Sequence, residues 1–302
     1  MSFQSLVHIK KALGNLNPKQ VRELGERQVH VALHAASQEA YQRMESFFLR
    51  DLSPARRRSS AVLLTRAPIP ALNYQVDFSV YDQGVVAPPN ALVFEADRPE
   101  HLVRQALKAY PDLGISLAKS FLPFRRPYIA RVISRTCREN TFFSVTTALP
   151  DVIPSVIELP WAVAEFASDT AFLTMNQVRM AFLIAAASDR EVGYSEQKSE
   201  IATVIGSAFG WRALARQLVG KIPFGGGLVA KAAVAYAGTK VLGLSLDHLY
   251  SIGFTYTRDE RDRLYADAFR QGKEVAQRML AYLRPELAAR SASKAIPSGR
   301  QA

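Results

Sequence analysis

The chain has 302 residues, of which 48% are hydrophobic and 22% charged, a composition that excludes wholesale disorder and can build a core. Lysine and arginine total 38 against 27 acidic residues, giving a formal net charge of +11. That balance favours a polyanionic partner, either nucleic acid or an anionic lipid surface, although a basic soluble protein has the same composition. The single cysteine, Cys137, excludes an internal disulfide and fits a reducing compartment.

The amino-terminal part of the chain is predicted to be helical. The apolar run over 1–13 contains a histidine and two lysines, so we expect a short amphipathic helix and no secretory signal. Asn17 and Pro18, followed by Gln20, are typical of a helix start, and the apolar spacing predicts a helix to about Leu49. A basic linker is expected to follow over 53–60.

A small α/β segment is predicted next, over residues 59–120. Three runs are typical of strands: 61–65, 74–81 and 91–95. In the second run apolar and polar residues alternate, as in a half-buried strand. A helix is expected from Pro99 to Tyr110.

From Phe121 onward the pattern is helical, with prolines as interruptions. The last predicted helix runs from Arg258 to Leu283, because Thr257 and Glu260 form a capping-box pattern before an apolar side. The expected domains are therefore 1–58, 59–120, 121–283 and a disordered tail over 284–302. The predicted fold class is mainly α, a helical bundle with a small α/β insert.

Two apolar segments, 160–187 and 222–246, have the length of membrane-spanning helices. The second contains Lys231 and Lys240, and each lysine costs about 2.5–3.5 kcal/mol at the centre of a bilayer. The first contains Glu165, Asp169 and Arg179. Two alternatives stay open: both segments are core helices of a soluble bundle, or they enter the membrane together with their charges paired.

The sequence does not match several common catalytic and binding motifs. Residues 220–225 have two glycines at the spacing of a phosphate loop, but Gly226 and Gly227 stand where lysine and a hydroxyl residue are required. The pattern is that of a turn between helices, and we expect no nucleotide and no other cofactor. His30 and His34 would lie one turn apart on the predicted helix, yet no further metal-ligand pattern accompanies them, so we expect no metal site. No nucleophile motif for acyl transfer occurs, and we expect no catalytic residue and no enzymatic activity.

One polar stripe is predicted on the helix over 160–187. At about 100° per residue, four polar side chains fall within one arc: Glu165, Asp169, Asn176 and Arg179. We expect a shielded network in which Arg179 neutralises a carboxylate of a neighbouring helix, with a ligand or ion site as the alternative.

A basic stretch precedes the apolar helices and contains no acidic residue. It consists of Lys119, Arg125, Arg126, Arg131, Arg135 and Arg138. Such clusters contribute about 1 kcal/mol per residue near anionic lipid. We expect an anionic membrane surface as the partner, with a protein partner as the alternative and little role for nucleic acid.

Several segments of the carboxyl-terminal half resemble a bacterial family of unknown function, the one that includes the YcjF-like proteins. The resemblance covers about residues 121 to 283. It is carried by REN at 138–140, ALPDVIP at 148–154, FASDTAFLTMNQVRM at 166–180, FGWRALAR at 209–216, KIPFGGG at 221–227 and AYAGT at 235–239.

In that family the helical domain often follows an Era-like GTPase domain, and members are commonly membrane proteins. The resemblance therefore implies that residues 61–118 are a degenerate remnant of a G domain. It implies no catalytic residue, because the phosphate loop, the switch motif and the guanine-reading motif are all missing from the sequence. We expect a non-catalytic, membrane-associated adaptor on the cytoplasmic side, peripheral or partly embedded, which works with a GTPase or an envelope complex. The alternative is a soluble pseudo-GTPase scaffold that binds a protein partner.

Overall fold

The computed structural model describes residues 16–67, 75–147, 169–204 and 227–294. The chain forms two compact units. The α/β unit consists of Pro18–Val132 and Phe182–Glu196, and the helical unit of Met1–Asn17, Ile133–Ala181 and Gln197–Ala302. These units do not follow the predicted boundaries, because the α/β unit also includes residues from 18 onward and a later segment of the chain.

The α/β unit contains five helices and four strands among its described elements. Its strands are β1 (Val31–His34), β2 (Leu64–Arg66), β3 (Phe78–Asp82) and β4 (Leu92–Phe94), and its helices are α1 (Pro18–Glu26), α2 (Gln38–Phe48), α3 (Pro54–Ala61), α4 (Pro99–Ala109) and α5 (Gly114–Ser120). A 3₁₀ turn, Pro111–Leu113, joins the last two helices.

The four strands form one parallel sheet in the order β2-β1-β3-β4. The last three strands lie where the sequence predicts them, but the predicted helix to Leu49 is wrong. Residues 31–34 are instead the strand β1, because Val31 N donates to Leu63 O at 2.9 Å and the strand pairs on both sides. The expected linker over 53–60 is also wrong, since Pro54 begins the helix α3.

Aromatic side chains fill the core of the α/β unit. Phe48 of α2 lies 5.1 Å from Phe121 and 5.7 Å from Phe124, measured between ring centroids. Phe47 similarly contacts Phe94 of β4 at 5.4 Å. The apolar face of α2 therefore joins the sheet to the start of the following long helix.

Four long helices follow: α6 (Leu122–Thr146), α7 (Asp169–Ala187), α8 (Gly227–Ile252) and α9 (Arg258–Lys294). Residues 198–204 are also helical. In the helical unit α8 packs along α9, where Ala237 and Val241 form a buried cluster with Tyr265 and Ala268. A Cβ atom on Gly272 would lie 2.9 Å from the carbonyl oxygen of Ala233, so glycine sets this close approach.

The helix α9 begins as the sequence predicts. Thr257 N donates to the Glu260 carboxylate at 2.8 Å, and Glu260 N donates to Thr257 Oγ1 at 3.4 Å, which is the predicted capping box. The helix then continues past Pro285 to Lys294. The expected disordered tail is therefore helical up to that residue, and residues 295–302 lie outside the described part.

Two helices are apolar and long enough to cross a membrane. Thr170–Ala187 and Gly227–Ile252 each contain an 18-residue window with a mean hydropathy of 1.2, and 83% and 56% of the residues in these windows, respectively, are buried inside the protein. Their composition allows membrane association, and it is equally compatible with the core of a soluble protein. The mainly α fold with a small α/β part is the predicted fold class, and it is confirmed.

Candidate functional sites

The carboxyl edge of the parallel sheet is the usual ligand-binding place in open α/β folds, at the point where the strand order reverses. Here that point lies between β1 and β3. Only residues 35–37 separate β1 from α2, and Ser37 Oγ accepts from Ala40 N at 3.1 Å. A Cβ atom on Gly84, after β3, would lie 3.5 Å from Ala36 Cβ, so the two connections meet.

The side chains at this edge also contact one another. His34 stacks on Tyr81 with ring centroids 4.2 Å apart, and its Nε2 lies 3.3 Å from Ser79 Oγ. Burial lowers the pKa of His34. The predicted helical pairing of His30 and His34 is wrong, because His34 ends a strand and His30 precedes it. Within the described residues, no group of three or more His, Cys, Asp or Glu side chains is placed to hold a metal ion.

The amino-terminal part of the basic stretch lies inside the α/β unit, at the carboxyl end of α5. The unpaired carbonyls of that helix end accept from basic and hydroxyl side chains. Arg125 Nε donates to Ala118 O at 3.2 Å, and Arg56 Nη2 donates to Lys119 O at 2.6 Å. Burial, and then repulsion by Arg56, lowers the pKa of Arg125. This geometry gives Arg125 a structural role.

A single carboxylate balances part of this charge. Asp189, just after α7, lies 3.2 Å from Arg56 and 3.6 Å from Lys119. Its φ of 60° is in the left-handed region, which an aspartate tolerates better than most residues. Asp189 also borders a cleft of about 360 Å³ that Arg22, Glu26 and Glu196 help to line. Nothing in the sequence indicated this cleft, because it joins residues from distant segments.

The other four basic residues of the stretch lie on the exposed side of α6. Arg126, Arg131, Arg135 and Arg138 are exposed, as are Ala130 and Ser134 between them. Arg131 Nη1 donates to Leu107 O at 2.6 Å, and Arg135 pairs with Glu139 at 2.7 Å. We call these four residues the α6 arginine face. Among the described residues, Glu139 is the only acidic side chain in ion-pair contact with this face.

The polar stripe is partly as predicted. Asn176 of α7 is buried, and its Nδ2 donates to Asn140 Oδ1 at 2.8 Å and to Glu139 Oε2 at 3.2 Å, both on α6. Arg179 is half-buried, and Asp169 begins α7. Glu165 lies outside the described residues. The predicted contact with another helix therefore exists for Asn176.

Three residues that are not part of the predicted polar stripe complete this buried polar network in the helical unit: Asn140, Gln177 and Thr239. Asn140 Nδ2 and Gln177 Nε2 both donate to Thr239 Oγ1, at 2.8 and 3.1 Å, and that hydroxyl donates to Ala235 O at 2.7 Å. Asn176 Oδ1 and Gln177 Oε1 are buried and accept no hydrogen bond from the described residues. The network ties α6, α7 and α8 together at one level.

The single cysteine of the chain is poorly reactive. Cys137 is fully buried, its Sγ donates to Tyr236 O at 3.7 Å, and burial raises its pKa to about 12. A thiol with such a pKa has almost no thiolate at neutral pH, so it is a poor nucleophile.

Comparison with protein-family models, with curated proteins and with solved structures gives no match.

Proposed function

We propose that this protein is a non-catalytic adaptor that binds the cytoplasmic surface of an anionic membrane from one side, without spanning it. The observation that carries the proposal is the α6 arginine face. Four arginines and two small residues are exposed on one half of the circumference of one helix. Exposed basic residues attract anionic lipid by about 1 kcal/mol each near the surface.

The composition of the face supports lipid as its ligand. Ala130 and Ser134 are short and exposed, and they lie between the arginines along α6. Arg126 and Arg138 make no ion pair with the described residues, and Arg131 is held by a backbone carbonyl, which leaves its charge unneutralised. Arg135 is the one arginine of the face that makes an ion pair within the described ranges, with Glu139. The face therefore retains a net positive charge.

The burial of the apolar helix α7 supports peripheral binding over insertion. None of the residues of Thr170–Ala187 is exposed, and 83% are buried, so α7 offers no apolar side to lipid tails. A helix that is apolar all round and enclosed by protein is typical of a core.

The contacts at the carboxyl edge of the sheet support a non-catalytic role. A phosphate loop needs free backbone amides at the start of the first helix. Here Ser37 already accepts from Ala40 N, and Ala36 meets the connection after β3. The two glycines with phosphate-loop spacing lie at 220–225, and these residues are outside the described part of the chain.

We also propose that the chain is a member of the YcjF-like family, on the basis of the segments quoted above. We further propose a GTPase or an envelope component as its protein partner.

A second candidate function is a soluble pseudo-GTPase scaffold that binds a protein partner. It is favoured by the all-parallel order β2-β1-β3-β4, which is a doubly wound arrangement of the kind that nucleotide-binding domains use. In that case the α6 arginine face would bind an acidic protein surface.

Cosedimentation with lipid vesicles separates the two candidates. The membrane proposal expects the purified protein to pellet with phosphatidylglycerol vesicles and not with phosphatidylcholine vesicles. It also expects salt or a carbonate wash to release the protein, because exposed charges are screened over about 8–10 Å at physiological ionic strength. A protein that stays in the supernatant at low salt would favour the scaffold instead.

A further inference from the structure

The exposed half of the helix α3 is basic. Arg57 and Arg58 are exposed, and Val62, directly after the helix, keeps right-handed helical angles and is 72% exposed. At about 100° per residue, Arg58 lies at the centre of the exposed half, with Arg57 on one flank and Val62 on the other. Ala55 and Ser59 are exposed beside Val62. We call the exposed residues within 55–62 the α3 face: Ala55, Arg57, Arg58, Ser59 and Val62.

The opposite side of α3 is fixed to the end of α5. Arg56 Nη2 donates to Lys119 O at 2.6 Å, and Ser60 Oγ donates to Ser120 O at 2.8 Å. Ser60 is buried, and Arg56 also lies 3.2 Å from Asp189. Because these contacts hold the inner side of the helix, the α3 face keeps its orientation within the α/β unit.

The surroundings of the α3 face are strongly positive. Residues 43–66 contain six arginines, one glutamate and one aspartate. The elements that meet α3 at the end of α5 add Lys119, Arg125 and Arg126, together with the carboxylate of Asp189. The excess of positive charge therefore persists when the neighbours of the helix in sequence and in space are included.

The nearest carboxylates are already in ion pairs. Asp51 lies 3.7 Å from Arg50, and Asp189 contacts two basic side chains. Arg57 and Arg58, by contrast, make no ion pair within the described ranges of the chain. The α3 face is thus complementary to an anionic surface.

The side chains of the α3 face favour lipid over nucleic acid. Proteins that bind single-stranded nucleic acid stack bases on aromatic side chains, and the α3 face has none. It instead places the aliphatic Val62 one turn after Arg58, and basic residues beside an apolar one are typical of helices that lie at a membrane interface.

We propose that α3 lies against the headgroups of an anionic bilayer, with Arg57 and Arg58 at the lipid phosphates and Val62 at the edge of the apolar region. This inference rests on the proposed membrane function and adds a second contact, within the α/β unit, to the one made by the α6 arginine face. Salt weakens the contact of the arginines and does not screen that of Val62.

Paired substitutions test the electrostatic part. Arg57→Gln/Arg58→Gln is compared with Arg104→Gln/Lys108→Gln, which removes two exposed charges from α4 of the same unit. The α4 control is suited because residues 95–108 contain three acidic residues and three lysines or arginines, so its surroundings are balanced. At low salt the α3 variant should bind phosphatidylglycerol vesicles about 30-fold more weakly than the parent, and the α4 variant nearly as well as the parent. Denaturation midpoints of both variants should equal that of the parent, because the positions are exposed.

A fluorescent probe tests the contact of Val62. Val62→Cys is labelled with an environment-sensitive dye, and the buried Cys137 leaves the introduced thiol as the reactive one. Val86→Cys, at a 97% exposed position of the α/β unit, is the matched control. With phosphatidylglycerol vesicles we expect a several-fold rise in emission and a blue shift at position 62, and neither change at position 86.

The outcomes separate this contact from the membrane function itself. If the parent pellets with vesicles, but the α3 and α4 variants bind equally and the probe at position 62 does not respond, the α3 contact is refuted and the membrane function stands. If the α3 substitutions weaken binding to a DNA duplex and not to the vesicles, the face binds nucleic acid and the inference is overturned. If the parent protein does not pellet at all, both proposals are refuted.

Discussion

Asn140 of α6 donates its side-chain amide to the hydroxyl of Thr239 of α8 at 2.8 Å, in a part of the helical unit from which water is excluded. Gln177 of α7 donates to the same oxygen. One hydroxyl group thus links three helices, and Asn176 joins them through Asn140. Buried networks of this kind are costly when one member is lost, because the partners stay buried without hydrogen bonds.

The network predicts a large effect for Thr239→Val. The substitution keeps the shape of the side chain but removes the acceptor for two buried amides, so we expect a loss of about 2–4 kcal/mol of unfolding free energy. Thr203→Val is the matched control, since Thr203 also donates to the carbonyl four residues earlier but is exposed. Chemical denaturation of both variants measures the difference. Equal midpoints would show that the network contributes nothing to stability.

Close packing of α8 on α9 predicts a steric effect at Gly272. A valine there would place carbon atoms against the Ala233 carbonyl, so we expect a loss of about 1–3 kcal/mol from overpacking. Gln277→Val introduces the same side chain at an exposed position of α9, where surface substitutions change stability by about 0.5 kcal/mol or less. Thermal unfolding compares the two. A Gly272→Val variant as stable as the control would contradict the observed helix spacing.

Two neighbouring arginines of the basic stretch, Arg125 and Arg126, should differ in their contribution to stability. Arg125→Gln removes the donor to Ala118 O at the end of α5, so we expect about 1–2 kcal/mol of destabilisation and little specific effect on vesicle binding. Arg126→Gln should leave unfolding unchanged, because Arg126 is exposed and makes no ion pair with the described residues. Chemical denaturation of the two variants measures their stability. A lower midpoint for Arg126→Gln than for Arg125→Gln would contradict the assigned roles.

Cys137 should resist thiol reagents in the folded protein. With a pKa of about 12 and no exposed surface, its thiolate fraction at pH 8 is on the order of one part in ten thousand. Ser134→Cys, on the exposed side of the same helix, should react rapidly, and so should Cys137 after denaturation. The absorbance change on adding an aromatic disulfide reagent follows each reaction. Rapid reaction of the folded parent would mean that α6 and α8 separate in solution.

The sequence predicted the helices and strands whose signals are local. A helix begins at Pro99, as predicted, and another begins directly after the capping pair Thr257 and Glu260. The alternating run that ends near Asp82 contains the strand β3. The strand β1 was missed because Val29, Val31 and Leu33 also fit the apolar side of a helix. Its conformation is decided by pairing with β2 and β3, which are about 30 and 45 residues away in the chain.

At the candidate sites, too, the sequence predicted features that depend on nearby residues and missed those that depend on contacts between distant segments. The polar stripe placed Asn176 in contact with another helix. Thr239, at the centre of the network, has no charge, and in the sequence it stands out only as the last residue of the AYAGT segment that carries the family resemblance. The basic stretch was predicted as one surface, but Lys119 and Arg125 turn toward Asp189 and the end of α5. That separation depends on tertiary packing, which a charge count along the chain does not contain.

The central claim is that the α6 arginine face binds anionic lipid, and paired charge substitutions test it most directly. Arg126→Gln/Arg138→Gln removes from the face two charges that make no ion pair within the described part of the chain. Arg270→Gln/Arg278→Gln removes two exposed charges from α9, where each pairs with an acid of its own helix. Both variants have the same net charge. Any difference in their cosedimentation with phosphatidylglycerol vesicles at low salt therefore depends on where the lost charges lie, not on how many are lost.

At about 1 kcal/mol per arginine, the α6 variant should bind about 30-fold more weakly than the parent. The α9 variant should bind nearly as well as the parent, and the difference between the two should shrink as salt is raised. Equal vesicle binding by the two variants at low salt would contradict the account, because the arginine face would then contribute no more than any other positive charge on the protein.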